Sequence, residues 1–164
     1  MIYILDAYNV IHKMRRLQSA LDIDLRASRD ALAALCGSLA AARGDITRFI
    51  LVFDGRSEYR MQTQSVPPKI QVIFSETGED ADDRIIEVLE SLPDRPAKCV
   101  VSDDNSVRNT ARSHKAASMS VAEFENLWGT AARKSGAPAQ SAGGKLSPKD
   151  ADDITREYKK TLGL

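Results

Sequence analysis

Short, continuously apolar segments alternate along this sequence with longer segments of helical periodicity, and this alternation constrains the fold more than any other feature. An apolar run bounded by polar residues or glycine is typical of a strand that is covered on both faces of a sheet. Strands that alternate with helices predict parallel βαβ units. We therefore expect an α/β fold, a three-layer α/β/α sandwich with a central, mostly parallel sheet. The predicted strands are 2–6, 49–54, 70–74, 99–102 and a short fifth at 116–119.

Four main helices are predicted from apolar residues that recur at helical spacing. In the first of them Leu32 and Leu39 share a face, and Gly44 follows its end, where glycine commonly terminates a helix. Ser120 and Glu123 have the spacing of a capping box, which indicates the start of the last helix. The predicted helices are 24–43, 80–92, 103–114 and about 120–134.

The end of the chain differs in composition from the rest. Residues 134–145 read KSGAPAQSAGGK, which is typical of a flexible linker. Ser147 then precedes Pro148, a pattern that indicates a helix start because proline is tolerated at the first helical position. The sequence therefore predicts one domain over 1–134, a linker over 135–146 and a helical C-terminal tail over 147–164.

The composition is that of an ordinary globular protein, with 43% hydrophobic and 28% charged residues. The formal net charge is zero, so an electrostatic argument for a partner must rest on where the charges lie. Cys36 and Cys99 each lie in an apolar run, which favours buried free thiols over a disulfide. The N-terminus lacks a basic leader, and no apolar run approaches the roughly 18 residues of a membrane span. We therefore expect a cytoplasmic protein with no membrane contact.

Acidic residues stand at the ends of the predicted strands. Asp6 ends the first strand and Asp54 the second, Asp103 and Asp104 follow the fourth, and the third leads into the acidic segment 79–83. Ligands of open parallel sheets bind outside the carboxyl ends of the strands, so these acids are expected to share one edge. Two carboxylates 4 Å apart repel by about 4 kcal/mol in a surface-like dielectric, which favours a bound cation. Oxygen ligands without nearby His or Cys favour Mg²⁺ or Mn²⁺ over Zn²⁺, and such ions suit phosphodiester hydrolysis.

Most of these acids also have a purely structural interpretation. Residues 79–80 suit the cap and first turn of a helix, and one of residues 103–104 suits an N-cap in the same way. Asp54 precedes Gly55 and is favoured as a turn residue. Asp6 is different, because a charge at the end of an apolar strand is costly to bury unless it has a function.

Four motifs, in order and at the strand ends, resemble the YacP-like branch of the NYN domains, which belong to the PIN-like nuclease fold. The resemblance covers roughly residues 1–134. It implies a metal-dependent endoribonuclease, and some members of the branch act in RNA maturation or cleave mRNA on ribosomes. The motifs are DAYNVI at 6–11, VFDG at 52–55, FSETGEDADD at 74–83 and VSD at 101–103.

Carried over motif by motif, the resemblance also implies which residues form the active site. Asn9 would accompany the first-strand acid in the loop, holding a metal-bound water or phosphate, although it also suits the cap of a helix that runs to residue 13. The implied catalytic residues are Asp6, Asn9, Asp82 and Asp103, and the implied metal ligands are Asp6, Asp82 and Asp103 with Glu79 or Asp83 assisting.

The chain departs from the family pattern at two positions. Ala7 stands where glycine is common, which stiffens the turn after the first strand. Asp80 stands where threonine or serine is common, and it adds a negative charge beside the implied metal ligands. The choice between one-metal and two-metal chemistry therefore stays open.

A cluster of acids repels RNA unless basic residues flank it. Arg108 and Arg112 are four residues apart and so share a helix face. Arg56 and Arg60 flank Tyr59, a pattern that suits phosphate contact together with base stacking. The predicted substrate-binding residues are Lys13, Arg16, Arg56, Arg60, Arg108 and Arg112.

The sequence therefore predicts an endoribonuclease that depends on Mg²⁺ or Mn²⁺ and acts on RNA, with the ribosome as a candidate partner and the oligomeric state open. The main alternative is a non-catalytic RNA-binding or ribosome-associated module of the same fold. A receiver-like phospho-acceptor domain and a structure-specific DNA nuclease are less favoured. Metal-independent catalysis by His12 and His114 is also less favoured, because nothing in the sequence places the two residues together.

Overall fold

The computed structural model describes residues 1–55, 66–76 and 78–134 of the 164-residue chain. The predicted linker 135–146 and tail 147–164 lie outside the described residues, as do Arg56 and Arg60. The elements, in chain order, are β1 (Ile2–Asp6), α1 (Ala7–Lys13), a 3₁₀ turn (Arg15–Leu17), α2 (Gln18–Leu21), α3 (Leu25–Ala42), β2 (Arg48–Phe53), β3 (Ile70–Phe74), α4 (Ala81–Ser91), β4 (Lys98–Val101), α5 (Asn105–Ser113), β5 (Ala117–Met119) and α6 (Val121–Lys134).

The five strands form one parallel sheet in the order β3-β2-β1-β4-β5, which confirms the predicted α/β fold. The chain builds outward from β1 to β3 and then places β4 on the other side of β1, so the direction of building reverses between β1 and β4. Ligands of open α/β sheets bind outside the carboxyl ends of the strands at such a reversal. Asp6 is the last residue of β1, and the pairing of Leu5 with Val101 sets it beside the end of β4.

Alternate residues of β1 point to opposite faces of the sheet and bury two separate cores. Tyr3 and Leu5 pack in the core formed with α1, α3 and α6. Ile2 and Ile4 pack in the core formed with α4 and α5. Burying an aliphatic side chain of this size contributes about 1.5–3 kcal/mol, so both helical layers are held firmly against the strands. The predicted three layers are therefore confirmed.

The helix boundaries follow the predicted capping residues. Asp24 accepts the Ala27 backbone N–H at the start of α3. At the start of α6, Ser120 Oγ accepts the Glu123 N–H at 3.2 Å, and Glu123 Oε2 accepts the Ser120 N–H at 2.7 Å, which is the reciprocal capping box. α1 begins at Ala7, directly after β1. Within the described ranges, no helix combines the length and the apolar character needed to cross a membrane.

Gly37 lies on α3 against Pro67, in the segment that leads into β3. A Cβ atom at Gly37 would lie 2.6 Å from Pro67 Cβ, whereas one at Gly129 on α6 would meet nothing within 4 Å. Alanine is ordinarily favoured over glycine in a helix by about 1 kcal/mol, so Gly129→Ala should stabilise the protein by about that amount. We expect Gly37→Ala instead to lower the free energy of unfolding by about 1–3 kcal/mol, because α3 must move away from Pro67. Urea unfolding measures the contrast, and equal stabilities of the two variants would contradict it.

Candidate active site

Ser102 joins the carboxyl ends of β1 and β4. Its side chain is fully buried, and its Oγ donates a hydrogen bond to Asp6 Oδ2 at 3.1 Å. The same oxygen accepts the Asp104 backbone N–H at 3.0 Å. One buried hydroxyl therefore orients the Asp6 carboxylate and fixes the loop that follows β4. Sequence reasoning missed Ser102 as a functional residue, although its place one residue beyond a strand that neighbours β1 was a usable signal.

Ser75 makes the same kind of arrangement at the carboxyl ends of β2 and β3. It follows β3, is 2% exposed, and its Oγ donates to Asp54 Oδ1 at 3.1 Å while accepting the Gly55 N–H at 3.2 Å. Gly55 has a φ of +120° and the chain bends there, which is compatible with the predicted turn at Asp54. Asp54 is thus also a carboxylate of the same sheet edge.

Asp6 lies in a cluster of negative charge. Burial is the main cause that raises the pKa of its carboxyl above the ordinary value. The charges of Asp104 and Asp54 raise this pKa further. The hydrogen bond from Ser102 and the Asn9 backbone N–H lower it without offsetting the burial. Because the charged form is disfavoured, a cation nearby would stabilise it.

Asp82, in the first turn of α4, belongs to the same cluster. Burial is again the main cause that raises the pKa of its carboxyl, followed by the charges of Asp6 and Asp104. Asp80 and Asp83 raise it further. Asp6 and Asp82 therefore lie near enough for the charge of one to act on the other, and Asp104 is a further acid that acts on both.

Asp103, the predicted third ligand, is engaged elsewhere. Its Oδ1 accepts the backbone N–H of Val121, the first residue of α6, at 2.8 Å. Its charge does not figure among those that raise the pKa of Asp6 or Asp82. β4 ends at Val101 and the chain bends at Asp103, so strand alternation does not indicate which of the two adjacent acids joins the cluster.

Asn9 holds the loop that carries these acids. It lies inside α1, so the alternative that it caps this helix is wrong. Its Oδ1 accepts the Asp103 backbone N–H at 3.0 Å, which ties α1 to the loop between β4 and α5. Asp104 then caps α5, because its Oδ1 accepts the Ser106 N–H at 2.7 Å.

The acidic segment before α4 divides into different roles. Glu79 Oε2 accepts the Glu76 backbone N–H at 2.8 Å and so closes the turn that leads to α4. Asp80 occupies the N-cap position of α4, but its carboxylate makes no capping hydrogen bond. Asp83 is exposed in the first turn of the helix. Of the two assisting acids predicted, Asp83 adds charge to the cluster and Glu79 shapes the loop.

The clustered donors are of the kind that a hydrated hard cation prefers. Among residues 1–55, 66–76 and 78–134, no three His, Cys, Asp or Glu side chains are arranged to hold one ion together. The clustered groups are all carboxylates, and their mutual repulsion is relieved by positive charge. Mg²⁺ usually keeps several of its waters and binds through one or two carboxylates, so these residues fit an ion that one or two of Asp6, Asp82 and Asp104 would bind directly, with water completing its coordination.

The four predicted substrate-binding residues that the structure describes lie in two different helical layers. Lys13 ends α1 and Arg16 follows in the 3₁₀ turn, and both side chains are exposed. Arg108 and Arg112 belong to α5 on the other face of the sheet, and Arg108 lowers the pKa of Glu123 on α6. The structure therefore does not bring these four predicted substrate-binding residues into one cluster.

The two histidines also lie on opposite faces of the sheet. His12 is in the last turn of α1, and His114 follows α5, where its Nδ1 lies 3.9 Å from Glu90 Oε1. A general acid and a general base must both reach the scissile phosphodiester to act as a pair. The alternative of metal-independent catalysis by His12 and His114 is therefore wrong.

A buried arginine lies beneath the carboxyl ends of β1, β2 and β3. Arg29 on α3 is 4% exposed, and both its Nε, at 3.1 Å, and an Nη donate to the Tyr8 hydroxyl. Its guanidinium lies 5.6 Å from the ring centres of Tyr8 and Phe53 and 5.9 Å from that of Phe74. Cation–π contacts of this kind contribute about 0.5–2 kcal/mol each. Arg29 thereby fixes Tyr8, which directly precedes Asn9.

Tyr8→Phe should destabilise the protein by about 2 kcal/mol, because it removes an acceptor from a buried guanidinium. Tyr3→Phe is the control, since the Tyr3 side chain is more deeply buried than that of the partly buried Tyr8 but its hydroxyl makes no hydrogen bond among the described residues. Urea unfolding of both variants measures the effect. A Tyr8→Phe protein as stable as Tyr3→Phe would show that the Arg29 contact contributes nothing.

Comparison with known proteins gives a family and a fold. The chain matches the profile of the YacP-like NYN domain over residues 3–162. The crystal structure of Rae1 (YacP) from Bacillus subtilis superimposes with a TM-score of 0.69 at 21% identity, covering 99% of this chain and 92% of that one. A mutant of the same protein gives 0.65 at 23% identity, covering 81% and 77%. At these identities the two structures show a shared fold. No curated protein matches the sequence.

Proposed function

This chain belongs to the YacP-like NYN domain family, related to the PIN-like nucleases, and we propose that it is a Mg²⁺- or Mn²⁺-dependent endoribonuclease. One observation carries the proposal. At the point where the sheet reverses its order, the charge of Asp6 raises the pKa of the Asp82 carboxyl, and the charge of Asp104 raises the pKa of both. Such an arrangement is costly for folding and is explained by a cation that it serves to bind.

Asp6, Asp82 and Asp104 would hold the ion, directly or through water, with Asp83 adding charge. An ion bound there supplies a water of lowered pKa and neutralises charge that develops on the phosphate. Residues of the chain orient the carboxylates that would bind the ion. Ser102 fixes the Asp6 carboxylate, and a buried donor of this kind keeps a ligand in one position before substrate arrives.

The loop after β4 is the second element that the chain holds in place. Asn9 binds the Asp103 backbone N–H, and the Asp103 carboxylate binds the first N–H of α6. We assign both residues a positioning role, in which they keep Asp104 at the sheet edge. Asn9 and Asp103, predicted from the sequence as catalytic residues, thus remain part of the proposed site but act through Asp104.

The proposed substrate is RNA, met in the cytoplasm and with the ribosome as the candidate setting. RNA contacts are assigned to the exposed Lys13 and Arg16, to Arg108 and Arg112, and to Arg56 and Arg60, which lie outside the described residues. Phosphate contacts of this type are expected to make binding weaken as salt rises.

The experiment that tests the proposal incubates the purified full-length protein with matched RNA and DNA substrates in Mn²⁺, Mg²⁺ or EDTA. We expect internal cleavage of RNA with either metal, none in EDTA, and product ends that carry 5′-phosphate and 3′-hydroxyl groups, because water is the attacking group. RNA binding without metal-dependent turnover would identify a non-catalytic RNA-binding module and overturn the proposal.

A further inference from the structure

A groove lies between α4 and α5 beside the acid cluster. Its volume is about 200 Å³. The buried side chains of Ile85, Leu89 and Val107 form its apolar floor, while polar groups make up the larger part of its accessible wall. Ser106 and Thr110 on α5 add two hydroxyl groups to its wall. The proposed hydrolysis uses none of these five residues.

The groove and the acid cluster are continuous, because Asp82 belongs to both. Asp80 and Asp83 also line the groove. Three carboxylates there repel the RNA backbone, so a phosphate is not the group that enters. A nucleobase has the opposite properties, since it is neutral, apolar on its flat faces and polar only along its edges.

We propose that this groove receives the unpaired nucleobase next to the cleaved phosphodiester bond. The inference rests on the proposed function, because it takes the cleaved bond to lie at Asp6, Asp82 and Asp104. The neighbouring base is then the substrate group within reach of a groove that begins at Asp82. A base held in this way must be unstacked, so the groove selects single-stranded RNA.

The acids that line the groove also determine which bases it prefers. Carboxylates are hydrogen-bond acceptors only, and Asp80 and Asp83 therefore pair with donors. Adenine, cytosine and guanine carry an exocyclic amino group with two N–H donors, whereas uracil offers only its ring N3–H. Bases with an amino group are expected to bind the groove more tightly than uracil.

Thr110→Leu tests the groove by filling it with a residue that favours a helix. Thr130→Leu, at an exposed position of α6, is the matched control. After the cleavage site of a single-stranded oligoribonucleotide has been mapped, each nucleotide beside it is replaced in turn by an abasic one. We expect one abasic replacement to lower kcat/KM about tenfold with the wild type and with Thr130→Leu. This is the size of effect expected when one stacked base is lost. With Thr110→Leu the same replacement should change kcat/KM less than about twofold, because that contact is already lost.

A binding measurement makes the result independent of turnover. In an Asp6→Asn background, fluorescence anisotropy compares the intact oligonucleotide with oligonucleotides that carry an abasic nucleotide at each position. Should Thr110→Leu fail to fold, as judged by thermal unfolding, Ser106→Leu at an exposed first-turn position of α5 replaces it. If the wild type and the filled variants depend equally on the base, the groove inference is overturned.

Failure of the groove and failure of the nuclease proposal give different results. A wild-type protein that cleaves neither RNA nor bis(p-nitrophenyl) phosphate in Mn²⁺ overturns the proposed function, while base-dependent binding still supports the groove. A protein that cleaves both but is indifferent to abasic replacement overturns the groove alone.

Discussion

Asp6→Asn is expected to abolish metal-dependent RNA cleavage, with a loss of about a thousandfold or more in kcat/KM, and to make the protein more stable at neutral pH. The two effects have one cause. The Asp6 carboxyl has a raised pKa because its charge is partly buried and faces Asp104 and Asp54. Asparagine removes that charge, and with it the repulsion, while its side-chain oxygen can still accept from Ser102.

The pH dependence of the stability gain has a definite sign. Because the folded protein binds the Asp6 proton more tightly than the unfolded chain does, the ionised carboxylate destabilises the fold above the folded-state pKa. The penalty falls as pH decreases through that pKa and is absent below the unfolded value. The stability difference between Asp6→Asn and the wild type should therefore be largest at neutral pH and vanish in acid.

Urea unfolding from pH 7 downward, together with cleavage assays, measures both effects. Asp82→Asn is expected to behave in the same way, since burial and the charges of Asp6 and Asp104 raise the pKa of its carboxyl too. A double variant at Asp6 and Asp82 that cuts RNA at the wild-type rate would show that these carboxylates have no part in catalysis.

The second large effect separates two neighbouring acids. Asp104→Asn should lower kcat/KM by about a hundredfold or more, because it removes a charge from the cluster. It should leave the fold intact, since asparagine is an equally good N-cap and can accept the Ser106 N–H as Asp104 does. Asp103→Asn should retain activity within about threefold, because its side-chain oxygen can still accept the Val121 N–H.

Alanine at the same two positions provides the structural control. Asp103→Ala removes the acceptor at the start of α6 and should lower the free energy of unfolding by about 1 kcal/mol, as the loss of a helix cap does. The assignment fails if Asp103→Asn loses activity while Asp104→Asn keeps it, because Asp103 would then be the ligand that the sequence motif indicated.

The sheet could be predicted from the sequence because β1, β2 and β4 contain continuous apolar runs that are followed by a charged or small polar residue. The end of β1 at Asp6 and the start of α4 before Asp82 follow directly from that pattern. The strand order could not be read in this way, since hydrophobic runs alone do not state which strands are neighbours.

The details of the site depend on contacts that local sequence does not specify. Asp103 and Asp104 are adjacent acids, and only their backbone positions decide which one faces Asp6. Arg29 has the sequence context of a solvated residue in the middle of a helix, yet it is buried against Tyr8. Ser102 carries no charge, so nothing in the pattern of acids indicated its bond to Asp6.

The central claim is that Asp6, Asp82 and Asp104 tolerate each other's charge because a divalent cation binds them. Isothermal titration of the full-length protein with Mn²⁺, in the absence of RNA, measures this directly. We expect saturable binding by the wild type and by Asp103→Asn, and its loss in the Asp6→Asn, Asp82→Asn double variant and in Asp104→Asn. Mn²⁺ binding of equal strength by the double variant and the wild type, or no saturable binding by either, would contradict the claim.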